Sequence, residues 1–173
     1  IPVSIITVVL AEDIVSIVFL RGAFNYESVK MTAAALMGYG FCFLPFAVKN
    51  IFSRFQYGNE TTKWPMIVSL IGIFINIVLS IILSSFLGVF GITLATSISE
   101  VVSAVLIVFI TIRNYSSLSL HSLKNYIFCW IGGGVACLFL CIICKNYLCV
   151  SYSIIKVGIT TMISFIVYCL IVF

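Results

Sequence analysis

Two apolar stretches of this chain carry polar side chains at helical spacing. Asn76 and Ser80 lie four residues apart in the first stretch, and Thr96 and Glu100 lie four apart in the second. Side chains at this spacing share one face of a helix. Oxygen atoms on two facing helices, one of them a carboxylate in a low-dielectric environment, suit a sodium ion or a proton. The pattern therefore predicts a candidate cation or proton site at Asn76, Ser80, Thr96 and Glu100.

A second interpretation of the same residues is that they only join helix to helix. Hydrogen bonds between Ser, Thr and Asn side chains of membrane helices contribute about 0.6 kcal/mol each on average. Under this interpretation Glu100 is protonated or extends toward the membrane surface. A carboxylate at bilayer depth is rare and costly, so Glu100 favours a function more than its three neighbours do.

The segment that contains these residues has the composition of a membrane-embedded helical hairpin. No charged side chain occurs between Lys63 and Glu100. Apolar residues make up 63% of the whole chain and charged residues only 8%, which is typical of a membrane protein. We expect the hairpin to turn at Gly88. This turn would bring Asn76 level with Glu100, and Ser80 level with Thr96.

Similar apolar stretches along the chain predict an all-α polytopic membrane protein with about six transmembrane helices. Each helix needs about 20 residues to cross a hydrocarbon core of roughly 30 Å. The spans are expected near residues 1–20, 32–52, 66–86, 89–112, 126–144 and 152–173. Pro45 should kink the second span, and Glu12 and Asp13 should lie near a helix end. Both termini fall inside apolar runs, so we expect a piece of a longer protein with further N-terminal helices.

The connections between these spans differ in their content of basic residues. Cytoplasmic loops collect Lys and Arg, so we predict that the 49–64 and 113–125 loops face the cytoplasm. The residues counted there are Lys49, Arg54, Lys63, Arg113 and Lys124, against Arg21, Lys30 and Lys145 on the other side.

Several function classes are excluded by what the sequence lacks. Seven cysteines without a cluster of histidines predict neither a metal site nor a disulfide framework. The three glycines at 132–134 lie inside an apolar helix, not in a nucleotide-binding loop, and we find no catalytic constellation. We therefore predict a protein that is not an enzyme, has no catalytic residue and no cofactor beyond a coupling sodium ion or proton, and binds no nucleic acid.

Four small residues in the fifth span share one helix face. They are Gly133, Cys137, Cys141 and Cys144, and we expect them to form a close contact with another helix.

Four motifs occur in an order and spacing that resemble a known family of transporters. They are RGAF at 21–24, TAAAL with GYG and LPFA at 32–47, SRFQYGNETTKWP at 53–65, and an asparagine at 76 followed by GVFGITLATS at 88–97. The chain resembles the MurJ (MviN) family of lipid II flippases, within the multidrug/oligosaccharidyl-lipid/polysaccharide (MOP) exporter superfamily.

The resemblance implies a fourteen-helix fold of two lobes and a terminal helix pair. On that arrangement residues 1–113 correspond to four helices of the second lobe, and residues 114–173 to the C-terminal pair. The implied function is translocation of an undecaprenyl-pyrophosphate-linked peptidoglycan precursor across the bacterial inner (cytoplasmic) membrane by alternating access. Its partners would be that lipid-linked precursor and membrane lipid. The alternatives are an exporter of another lipid-linked oligosaccharide or of cationic drugs, and a membrane scaffold that does not transport.

The resemblance also bears on the candidate site. Some members of the family hold a cation between the helices that correspond to the third and fourth here, at positions that match Asn76, Ser80 and Thr96. The family pattern has an aspartate where this sequence has Ser80, so Glu100 would have to supply the charge. The substrate-handling residues of the family belong to the first lobe, which leaves the substrate-binding residues of this chain unknown.

Overall fold

The computed structural model of the chain describes residues 1–20, 25–115, 134–135, 137–139, 141–142 and 153–172. In these parts the chain is helical, without strands, and the elements are α1 (Pro2–Val9), α2 (Ala11–Phe19), α3 (Tyr26–Gly40), α4 (Phe43–Gly58), α5 (Lys63–Leu87), α6 (Val89–Asn114) and α7 (Ser153–Val172). The described residues contain three helices long and apolar enough to cross a membrane, or four if α1 and α2 form one span. The prediction of an all-α polytopic membrane protein is confirmed.

The chain divides into two compact units, here called unit 1 and unit 2. Unit 1 combines Ile1–Gly40 with Leu120–Phe173, and unit 2 is Phe41–Ser119. The predicted fifth span, near 126–144, lies mostly outside the described residues, as do the RGAF motif at 21–24 and His121.

Unit 1 begins with two short helices where the sequence predicted one span. The chain bends by 72° between α1 and α2. Leu10, at the bend, has φ −104° and ψ 17°, which interrupts the helix. Glu12 and Asp13 follow in the first turn of α2, where carboxylates interact favourably with the positive end of the helix dipole.

The core of unit 1 is apolar where α2 and α3 meet. It contains Ala11 and Val15 from α2, and Val29 and Ala33 from α3. Small side chains here allow the two helix backbones to approach closely.

A second contact in unit 1 joins the helical residues near position 140 to α7. Cys137 and Cys141 are fully buried, as are Thr160 and Ser164 of α7, and Cys141 Sγ lies 3.2 Å from Ser164 Oγ. The predicted small-residue face is therefore a helix contact at Cys137 and Cys141. Its outer members, residues 133 and 144, are outside the described residues.

Unit 2 begins at a break in the predicted second span. A turn at residues 41–42 interrupts the helix, although Cys42 keeps helical dihedral angles (φ −74°, ψ −31°), and α4 starts at Phe43. Pro45 explains the break because it has no N–H to donate to the carbonyl of Phe41, four residues earlier. The predicted kink is thus a helix interruption just before the proline.

The predicted loop at 49–64 is wrong as far as Gly58. Helix α4 continues to Gly58, so Arg54, Phe55 and Tyr57 are helical, and only residues 59–62 connect α4 to α5. Aromatic residues and arginine have no intrinsic tendency to end a helix. Helix α4 therefore continues through them and ends at its C-cap, Asn59.

Helices α5 and α6 form the antiparallel hairpin that the sequence predicted. Gly88 alone separates them and has φ +59° and ψ −134°, a conformation that residues with a Cβ rarely adopt. Close to the turn, a Cβ added at Gly91 would overlap with the carbonyl of Leu83. At the opposite end, the Thr61 and Tyr115 hydroxyls are 2.9 Å apart, so both ends of the hairpin lie together.

Candidate functional site

An ion pair joins α4 and α6 inside unit 2. Lys49 Nζ lies 2.7 Å from Glu100 Oε1, to which it donates a hydrogen bond, and 2.6 Å from Oε2. The two side chains are only 17% and 19% exposed. Each partner lies near the middle of an apolar helix, where an unpaired charge would be very costly. The pair therefore neutralises two charges that neither helix could bury alone.

A polar pocket of about 190 Å³ surrounds this ion pair between α4, α5 and α6. Apart from the pair itself and Ile73, its lining consists of small or polar side chains. These are Ser69, Gly72, Asn76, Ser99 and Ser103. At the wall of the pocket α5 and α6 approach closely, since a Cβ added at Gly72 would overlap with Ser103 Oγ. Of the four predicted site residues, Asn76 and Glu100 line the pocket, and Ser80 and Thr96 do not.

Three of the four predicted site residues contact one another directly. Ser80 Oγ donates to Asn76 Oδ1 at 2.9 Å, and Asn76 Nδ2 donates to Thr96 Oγ1 at 3.5 Å. The Thr96 hydroxyl itself donates to the carbonyl of Ile92 at 3.1 Å, so it faces Asn76 as an acceptor. Asn76 is therefore the residue that links the two helices.

The hydrogen bonds across the hairpin differ in part from the predicted pairing. The prediction placed Ser80 level with Thr96, but Thr96 accepts from Asn76, and Ser80 donates to Asn76 along its own helix. Asn76 also lines the pocket that contains Glu100.

Lys49 is the site residue that the sequence interpretation missed. It was counted in a cytoplasmic loop, but it lies inside α4 and faces Glu100. One signal could have identified it: a lysine inside an apolar span needs a counter-charge, and Glu100 is a carboxylate inside another span of the same bundle.

A second polar network joins α4 to the C-terminal part of α6. Gln56 is fully buried, and its Nε2 donates to Thr111 Oγ1 at 2.6 Å. The Thr111 hydroxyl donates to the Ile107 carbonyl at 2.7 Å, so it can only accept from Gln56. Nearby, Phe55 and Tyr115 pack edge to face with ring centroids 5.2 Å apart. This network holds α4 against α6 independently of the ion pair.

Comparison with known proteins connects this arrangement to a family. A family model described as "Lipid II flippase MurJ" matches residues 1–158, which include all of unit 2, with every residue of the polar pocket, and unit 1 as far as residue 158. The chain belongs to the MurJ family. The resemblance inferred from the four motifs is confirmed by this match.

Individual relatives in the MurJ family match a shorter part of the chain. A probable lipid II flippase MurJ from Thermotoga maritima is 37% identical over 114 residues, covering 65% of this chain and 23% of the relative. The corresponding protein from Bdellovibrio bacteriovorus is 29% identical over 106 residues, covering 61% of the chain and 20% of the relative. That from Synechocystis is 30% identical over 119 residues, covering 69% and 22%. The chain thus spans between a fifth and a quarter of the relatives it matches.

Proposed function

We propose that this chain is part of a lipid II flippase of the bacterial inner membrane. The match to the MurJ family over residues 1–158 carries the proposal, and the relatives are named as flippases rather than as enzymes. The cargo would be an undecaprenyl-pyrophosphate-linked peptidoglycan precursor. Its translocation would make and break no covalent bond.

The proposed mechanism is alternating access between two lobes. Residues 1–113 would belong to the second lobe and residues 114–173 to a terminal helix pair. A polar cavity would expose the headgroup to each side in turn while the prenyl tail stays in lipid. Unit 2 suits this role because it encloses a polar pocket whose two charges cancel, whereas the outer face of α5 is strongly apolar. The most exposed residues of that face include Phe74, Ile81 and Phe86.

The candidate cation or proton site would couple an ion gradient to this cycle. Asn76, Ser80 and Thr96 contribute the hydroxyl and amide groups, and Glu100 contributes the carboxylate. Moving one charge across the membrane corresponds to about 2.3 kcal/mol per 100 mV, enough to bias two conformations. Because Glu100 is already paired with Lys49, any coupling must alter that pair.

A depletion experiment tests the function. The gene that encodes this chain is placed under a repressible promoter, and outer-leaflet precursor is quantified with a membrane-impermeant label specific for its headgroup. We expect depletion to abolish labelling while the total precursor in the cell accumulates. Re-expression of the intact gene should restore labelling.

Three other results would contradict the flippase proposal. Unchanged labelling after depletion, with loss of another lipid-linked glycan from the surface, would indicate an exporter of that glycan. Unchanged surface glycans together with increased sensitivity to cationic compounds would indicate a drug exporter, and no change in any of them would indicate a scaffold.

A further inference from the structure

The charge balance of the polar pocket bears on which cation it can take. Lys49 and Glu100 are the charged residues among those that line it, and the other lining residues are neutral. Lys49 Nζ is within 2.7 Å of both carboxylate oxygens. We propose that Lys49 is the built-in cation of this pocket, and that a free small monovalent cation binds beside Glu100 only when the Lys49 side chain is removed.

Electrostatics opposes a free cation beside the intact pair. A second positive charge next to the carboxylate would lie within a few ångströms of the Lys49 ammonium, and the repulsion is strong in a partly buried site. The Lys49 ammonium also competes with a free ion for the Glu100 carboxylate. Because it is tethered beside Glu100, its effective concentration there is high, and a free ion would have to exceed it. The intact pocket is thus already satisfied without an ion from solution.

The surrounding groups explain why removal of Lys49 would create a cation site rather than collapse the pocket. Asn76 Oδ1 and the hydroxyls of Ser99 and Ser103 are oxygen donors of the kind that monovalent cations bind. They are held by hydrogen bonds within their own helices, Ser99 to Thr96 at 2.8 Å and Ser103 to Ser99 at 2.8 Å. Without Lys49, the Glu100 carboxylate would face these oxygens with its charge uncompensated.

This inference rests on the proposed function and narrows it: with Lys49 in place the pocket would not take a free sodium ion, which leaves a proton as the coupling ion. The binding claim itself is tested without transport. The intact protein is purified in a nonionic detergent, and its Tm is measured in chloride salts of sodium, ethylammonium or choline at matched ionic strength. Sodium and ethylammonium are small enough for the pocket, and choline serves as the bulky reference cation.

We expect the Tm of the wild-type protein to be the same in all three salts. Lys49→Ala should melt below the wild type in choline, and sodium or ethylammonium should raise its Tm by several degrees. If Lys49→Ala cannot be purified, Lys49→Gln, which keeps a hydrogen-bond donor beside Glu100, is measured with the same expectation. Lys49→Arg should behave as the wild type does because it keeps the charge.

Two control variants locate the response. Lys63→Ala removes an exposed lysine at the start of α5 and should show no dependence on the salt. Lys49→Ala combined with Glu100→Gln should lose the response because no carboxylate remains to hold the ion.

Three outcomes would overturn the inference. They are a wild-type Tm that already rises with sodium, a Lys49→Ala Tm that is equal in all three salts, and a response that persists in the double variant. A failure of the flippase proposal would appear in the depletion experiment and would leave these melting curves unchanged. The two ideas can therefore fail separately.

Discussion

The α2–α3 contact of unit 1 and the polar pocket of unit 2 differ in chemistry, although both units consist of apolar helices and unit 1 also buries Thr160 and Ser164 of α7. The α2–α3 contact of unit 1 buries alanine and valine. Unit 2 buries a charged pair, a glutamine and a series of hydroxyl groups, among them those of Ser99, Ser103 and Thr111. Apolar contacts tolerate small shifts between helices, whereas hydrogen bonds and ion pairs are lost with them. Unit 2 should therefore have the more uniquely defined helix register.

The comparison predicts that the largest loss comes from breaking the ion pair. Glu100→Gln keeps the shape of the side chain but leaves the Lys49 ammonium without a counter-charge. It should lower the free energy of unfolding by about 3 kcal/mol or more. Denaturant titration in mixed micelles measures this value.

Glu60→Gln is the matched control for that substitution, because Glu60 is exposed in the α4–α5 connection. It should change the unfolding free energy by less than about 0.5 kcal/mol. Equal effects of the two substitutions would show that the Lys49–Glu100 pair does not hold unit 2 together.

A smaller loss should follow from filling the pocket wall at Gly72. Gly72→Ala places a Cβ against Ser103 Oγ and should cost about 1–3 kcal/mol through overpacking. Adding Ser103→Ala removes the obstructing oxygen and should restore most of the stability.

Gly158 in unit 1 is the control position. A Cβ at Gly158 meets nothing within 4 Å, so Gly158→Ala should be neutral or slightly stabilising. If the Gly72→Ala/Ser103→Ala double variant were no more stable than Gly72→Ala alone, Gly72 and Ser103 would not be in close contact.

The neutral network should be less sensitive than the ion pair. Thr111→Val leaves Gln56 Nε2 buried without its acceptor and should cost about 1 kcal/mol. Gln56→Leu in the same chain should recover that loss, because both polar partners are then gone. Thr161→Val in unit 1 is the control, since its hydroxyl donates to the Gly158 carbonyl within its own helix. If Thr161→Val lowered the free energy of unfolding as much as Thr111→Val does, the proposed difference in sensitivity between the two units would be wrong.

The smallest effect is expected at the thiol contact of unit 1. Ser164→Ala removes the hydroxyl that lies 3.2 Å from Cys141 Sγ and should cost about 0.6 kcal/mol, typical of a polar contact between membrane helices. The same titration measures it. A loss as large as that of Glu100→Gln would mean that unit 1 also depends on a specific polar contact.

The parts of the fold that could be predicted are those set by local sequence. The uncharged run before Glu100 and the glycine at 88 define the α5–α6 hairpin, since composition sets the span and Gly88 allows its turn. The bend at Leu10 could not be predicted in the same way. Neither proline nor glycine lies between Val3 and Leu20, so no residue there marks a break. The bend coincides instead with tertiary packing around Leu10, which is fully buried.

The candidate site was predictable only within single helices. Helical spacing put Asn76 with Ser80, and Thr96 with Glu100, on common faces. The partner of Glu100 comes from α4, 51 residues away in sequence, and its identity depends on how α4 docks on α6. Periodicity carries no information about that docking, which explains why Lys49 was assigned to a loop.

The one-residue turn at Gly88 has a consequence for how this protein enters its membrane. The turn contains neither a charged side chain nor an extended polar loop, so few polar groups have to cross the hydrocarbon layer. The two helices can then leave the translocation channel together as a preformed hairpin. Lys49 precedes Glu100 in the chain, so Glu100 would meet its counter-charge on entering the bilayer, whereas Lys49 would be unpaired until the hairpin is inserted.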